Sequence, residues 1–125
     1  MQSNRSVGTK PEETLRQALW QAGLRGYRKN VKSLPGKPDI VFGRAKLVVF
    51  VHGCYWHQCP YCQRNRIPRT NPKYWNAKFQ SNMDRDERHR RELEDAGYRV
   101  LVVWECKLKE DPAASLEQIR AGLAR

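Results

Sequence analysis

The chain has 125 residues, with 24 lysines and arginines against 13 aspartates and glutamates, a formal charge of +11. That length holds one domain with a single modest core, and the charge points to a polyanion, nucleic acid first, with a merely solubilising basic surface as the alternative. No run is long and apolar enough to cross a bilayer, nothing resembles a basic amphipathic anchor, and residues 1–20 hold no apolar signal segment, so a membrane or exported class is not expected.

Residues 12–22 place Leu15, Ala18, Leu19 and Ala22 at helical spacing, with Gly23 as the stop. The preceding Thr9-Lys10-Pro11-Glu12 fits a capping box, which by itself explains Glu12. Next comes LPGKPDIVFG, where Pro35 and Gly36 mark a turn, Pro38 biases Lys37 toward extended backbone, and a strand begins. Asp39 is the only carboxylate between Glu13 and Asp84, in a field of recurring Lys and Arg. It suits either an Asx turn at the start of the strand or a Mg²⁺ ligand among phosphate-binding cations.

Asp39 to Phe42 and Lys46 to Val51 read as two strands of a hairpin around Gly43-Arg44-Ala45. The second strand runs into HGCYWHQCPYC, His52 to Cys62, which gathers three of the four cysteines and two of the three histidines. With Cys106 beyond the apolar VLVVW run, Cys54, Cys59 and Cys62 form a four-thiolate set suited to structural Zn²⁺. Two disulfides and a redox Cys59-x-x-Cys62 pair are the competing readings. His52 and His57 fall outside the thiolate set and are available for proton transfer or phosphate binding, although His57 could replace a cysteine at zinc. A hairpin could also bring Asp39 and His52 to one end of the sheet.

Tyr55 and Trp56 on a small metal loop, with Trp75 near the next helix start, are candidate base-stacking residues, Trp75 alternatively packing in the core. Arg64 to Lys73 is a basic, proline-containing surface loop. Tyr74 to Ala96 reads as a long charged helix with Trp75, Phe79, Asn82, Met83, Asp86, Arg90 and Leu93 near one face, ended by Gly97. Arg99 to Trp104 reads as a buried strand, and Ser115 to Ala124 as a final helix capped by Ser115 with Leu116, Ile119 and Leu123 inward. Trp20 and Trp104 are expected in the core.

PEETLRQAL, LPGKPDIVF, VVFVHGCYWH, the Asn82 to Arg85 neighbourhood and GYRVLVVWEC resemble, in order and spacing, the very short patch repair (Vsr) endonucleases across nearly the whole chain. The resemblance implies an α/β, restriction-endonuclease-like core with a mixed sheet flanked by helices, spanning residues 1–125 as one domain. It implies a bacterial, cytoplasmic and nucleoid-associated monomer that nicks one strand of double-stranded DNA beside a T:G mismatch left by deamination of 5-methylcytosine, with catalytic Mg²⁺ and structural Zn²⁺. A cytosine-5 methyltransferase and mismatch-repair proteins would be its functional companions. By position, Asp39 matches the metal-binding aspartate and Val51 the residue whose carbonyl reaches the metal. His57 matches the water-activating histidine, His52 a second active-site histidine, and Glu12 and Asp86 supporting acids. Cys54, Cys59, Cys62 and Cys106 match the zinc ligands, with Cys59 replacing a histidine of the better-known member, and Tyr55, Trp56 and Trp75 match an aromatic wedge. VFVHG stands where restriction nucleases carry an acid and lysine, and the segment before the first helix is short, which leaves nuclease activity better supported than mismatch specificity. A restriction-like or general nicking enzyme, or a non-catalytic zinc-stabilised DNA-binding module, are the alternatives.

Overall fold

A computed structural model describes residues 10–54, 57, 59–61 and 69–124. The elements run α1 (Lys10–Gln21), β1 (Arg28–Lys29), β2 (Ile40–Phe42), β3 (Leu47–His52), α2 (Pro72–Asp95), β4 (Arg99–Trp104), α3 (Glu105–Glu110) and α4 (Pro112–Leu123). The strands form one mixed sheet in the order β1-β2-β3-β4, antiparallel except for the parallel pair β3 and β4. A parallel pair needs a crossover, and α2 supplies it.

Side-chain alternation along the strands divides the interior in two. Ile40, Phe42, Leu47, Val49 and Val103 face Leu15 and Leu19 of α1, Leu108 of α3 and Ile119 of α4. Val41 and Val48 face the other way, onto Leu93 of α2 and the loop residue Val31. The sheet is thus flanked by helices on both faces. The close seat of α4 is set by Gly122, where a Cβ would lie 3.1 Å from the Leu47 side chain.

Several expectations need correction. Lys37 adopts φ 51 rather than extended backbone, because the Leu34 to Lys37 turn closes with a Lys37 N–H to Leu34 carbonyl bond of 3.1 Å. Ser115 is not a cap: α4 begins at Pro112, Asp111 accepts the Ala114 N–H, and Ser115 is buried. An aspartate before a proline does that job better, since proline at the first helical position needs no partner for its nitrogen. Cys106 lies in α3, a short helix not expected between strand and final helix. The two-residue β1 was also not anticipated.

β4 is an edge strand with only Val103 fully buried. Trp20 is 57% exposed, its ring covered by the Arg25 guanidinium at 3.8 Å instead of by the core. Thr9 of the expected capping box lies outside the described residues. Core and surface can therefore be distinguished by mutation. Ile119→Ala should cost about 2–5 kcal/mol and Trp20→Ala no more than about 1 kcal/mol, measured by urea unfolding; equal losses would contradict this burial pattern.

Candidate active site and metal centre

Because β2 and β3 are antiparallel, the start of β2 lies beside the end of β3. Asp39, one residue before β2, accepts the Val51 N–H through Oδ2 at 2.7 Å. Glu12, in the first turn of α1 and 3% exposed, hydrogen-bonds the Asp39 carboxyl. The Arg16 guanidinium stands 3.9 Å from Glu12 Oε1. Burial, then the hydrogen bond and negative charge of Glu12, raise the Asp39 pKa from 3.8 to about 8, opposed by the Val51 N–H and Arg16. Two adjacent carboxyls that hold a proton near neutral pH are a donor set for a hard divalent cation, which would replace that proton.

At the C-terminal end of β3, His52 is 8% exposed and meets the edge of Trp104 at 5.2 Å. Its ring stacks on His57 with centroids 3.8 Å apart and planes within 5°. Burial, then repulsion from His57, lower the His52 pKa to about 3, so its imidazole is neutral. His57 is carried by the loop after β3, its backbone N–H donating to the Gly53 carbonyl at 3.2 Å. Its Nδ1 lies 2.6 Å from Oδ2 of Asp86, one turn beyond Met83 on α2. Burial would push the Asp86 pKa up, but the His57 hydrogen bond and charge, with His52 and Arg85, outweigh it and hold the carboxyl below its usual range. With Nδ1–H donating to an ionised Asp86, the lone pair of His57 is on Nε2, the arrangement of an oriented base. His52, His57 and Asp86 offer donor atoms within 4.8 Å of one another.

The cysteines assemble through the parallel register. His52 pairs with Trp104, so two residues further along, Cys54 comes beside Cys106, whose N–H donates to Cys54 Sγ at 3.3 Å. Cys59 is returned to Cys54 by a Cys59 N–H to Cys54 carbonyl bond of 2.9 Å. The sulfurs of Cys54, Cys59 and Cys106 lie within 4.8 Å of one another. Cys59 and Cys106 are 3.7 Å apart, far beyond a disulfide at about 2.05 Å but close to the edge of about 3.8 Å of a tetrahedron with ~2.3 Å zinc–sulfur bonds. The set therefore fits a tetrahedral metal. Cys62, the expected fourth ligand, lies outside the described residues, as do Tyr55 and Trp56. His57 groups with Asp86 and not with the sulfurs.

Glu12, Asp39, Val51, His52, His57 and Asp86 all line one open cleft of about 670 Å³. Trp75 does not line it, being half-buried with its ring 5.8 Å from that of Phe79. Two supporting residues escaped the sequence reading. Arg16 reaches Glu12 from one helical turn away, a spacing that could have revealed it. Glu105 accepts the Cys54 N–H at 3.4 Å, and only the strand register brings it there.

A family profile described as DNA mismatch endonuclease Vsr matches residues 1–64, half of the chain. The chain belongs to the Vsr family. It is 48% identical to the type II nicking enzyme V.NmeAIP of Neisseria meningitidis over 83% of this chain and 73% of that protein. It is 46% identical to the type II nicking enzyme V.NaeI of Lentzea aerocolonigenes over 93% of this chain and 71% of the relative. The DNA mismatch endonuclease Vsr of Escherichia coli is 40% identical over 78% of this chain and 62% of its own length. Vsr membership makes the chain a DNA endonuclease, and the mixed sheet flanked by helices is the restriction-endonuclease-like core expected of it.

The Asp39 pair gives a stability signature in magnesium-free buffer. The folded state keeps a proton that the unfolded chain releases from pH 3.8 upward, so this carboxyl lowers stability as pH rises toward about 8 and the loss is complete above that. Asp39→Asn keeps the acceptor for Val51 and removes the charge. Its Tm should exceed that of the wild type, by more at pH 8 than at pH 5; a gap that closes as pH rises would contradict the shared proton.

Proposed function

We propose that this Vsr-family endonuclease nicks one strand of duplex DNA beside a T:G mismatch in a Mg²⁺-dependent reaction. The observation that carries the chemistry is the His57–Asp86 pair lining the same cleft as the Asp39–Glu12 carboxyls. Mismatch recognition is supported by the name of the Escherichia coli relative. Tyr55, Trp56 and Trp75 are the aromatic side chains assigned to the mispair, where ring stacking is tolerant of base identity.

Asp39 and the Val51 carbonyl, with Glu12 beside them, would hold magnesium, which when bound neutralises charge on the phosphate oxygens. His57 takes a proton from water at Nε2 while Asp86 holds Nδ1–H and stabilises the imidazolium that results. The water oxygen then bonds to phosphorus as the opposite ester oxygen leaves. His52, neutral and stacked on His57, keeps that ring in its plane and adds no competing charge. Cys54, Cys59, Cys62 and Cys106 would hold zinc, which would brace the loop bearing His57 without a part in the cut.

A second reading, nicking without mismatch preference, is favoured by relatives named simply as nicking enzymes. Incubation with Mg²⁺ and either matched or T:G duplexes separates the two. Nicking confined to the T:G duplex is expected, and equal cutting would select the second reading. His57→Ala and Asp39→Ala should each lower nicking by at least about 10²-fold with duplex binding retained; wild-type rates in either would overturn the mechanism. Metal analysis of the reduced, folded protein should find one zinc per chain, and zinc chelation should lower Tm, whereas no zinc would remove that assignment.

A further inference from the structure

The cleft extends past the carboxyls into a region that the chemistry above leaves unused, lined by Lys32, Lys37 and His89. Both lysines are exposed, and among the described residues neither side chain takes a hydrogen bond or ion pair. Arg90, on the same wall, is committed to Glu87 and Glu94, so it contributes little net charge there.

Lys37 is held in this place at a cost. Leu34-Pro35-Gly36-Lys37 is a turn with proline second and Gly36 third at φ 78, closed by Lys37 N–H on the Leu34 carbonyl, the pattern of a type II turn. Lys37 follows with φ 51, a left-handed conformation that lysine disfavours and that a following proline disfavours further. Glycine or asparagine would sit there more easily. Gly36 permits the turn to press on α2, since a Cβ would come within 3.0–3.1 Å of the His89 and Phe50 rings. Strained backbone persists where something else requires it, and here it carries a cation to within two residues of Asp39. Two residues span at most about 7 Å, the order of one step between phosphates on a strand.

We propose that Lys32, Lys37 and His89 form a subsite for the phosphodiester adjacent to the scissile one on the nicked strand, setting which phosphate reaches Asp39 and His57. The assignment rests on the cut taking place in this cleft, not on mismatch specificity. Charge-assisted contacts to phosphate oxygens position a duplex without reading its sequence.

The test uses the full chain and Lys32→Ala/Lys37→Gly, with single neutral methylphosphonates placed in turn around whichever nick the wild-type enzyme makes. One flanking methylphosphonate should weaken wild-type cutting about tenfold, and the variant should be insensitive at that position while remaining sensitive at the scissile one. An unaltered position profile overturns the proposal. Duplex binding against salt gives a readout that needs no nicking: the slope of log affinity on log salt should fall by about 1.8 in the variant, and an unchanged slope also overturns it. Lys37→Gly alone should bind more weakly yet melt no lower than wild type, because glycine relieves the left-handed strain. A loss of both would make Lys37 structural and sink the subsite.

Discussion

The parallel pairing of β3 with β4 is the constraint from which the site follows. Its register sets His52 opposite Trp104, and the two chains then leave the sheet side by side. Cys54 and Cys106 meet because each lies two residues beyond that pair. The same exit brings Glu105 to the Cys54 N–H. A one-residue slip would separate the thiols and turn the strand's side chains to the wrong faces. The thiol cluster is thus a consequence of sheet register, and zinc binding there would lock the register in return, since ligands fixed in the fold make binding energy folding energy.

The second joint is the start of β2 against the end of β3, tied by Asp39 to the Val51 N–H. This contact lets a carboxylate on one strand share a cleft with imidazoles on the other. Helices from opposite faces of the sheet then complete it, α1 with Glu12 and α2 with Asp86. The two acidic partners are put to opposite uses. Glu12 and burial oppose ionisation of Asp39, leaving a site that a cation would satisfy, whereas His57 favours ionisation of Asp86, leaving a fixed anion to orient a base. Separation of these roles follows from whether the nearest neighbour is another acid or an imidazole.

Much of this was legible in the residues. Periodicity located the two long helices and the hairpin, because each must bury an apolar face and the spacing of that face is set by local geometry. The isolation of Asp39 among cations and the density of HGCYWHQCPYC singled out residues that the structure gathers into one cleft and one thiol cluster, since neither pattern is needed for packing alone. Where local rules compete, sequence reading failed: Pro38 argued for extended Lys37, yet the turn fixed by Pro35 and Gly36 prevailed. Ser115 was expected as the cap, yet α4 begins three residues earlier at Pro112 behind Asp111, and Ser115 is buried inside the helix. Trp20 looked apolar enough for the interior, but the helix turns it outward, where Arg25 covers it.

The sequence by itself determined the donor types: thiolates of the kind that suit a soft metal, carboxylates of the kind that suit a hard one, imidazoles able to carry protons, and an excess of positive charge suited to DNA. Which donors act together was decided only by tertiary structure. Glu12 with Asp39, His57 with Asp86 and Cys54 with Cys106 are joined by strand register and by helices on opposite faces, across 27, 29 and 52 positions of chain. Side-chain chemistry is a local property, readable one residue at a time, whereas pairing depends on non-local packing that only the assembled sheet and its two helical layers impose.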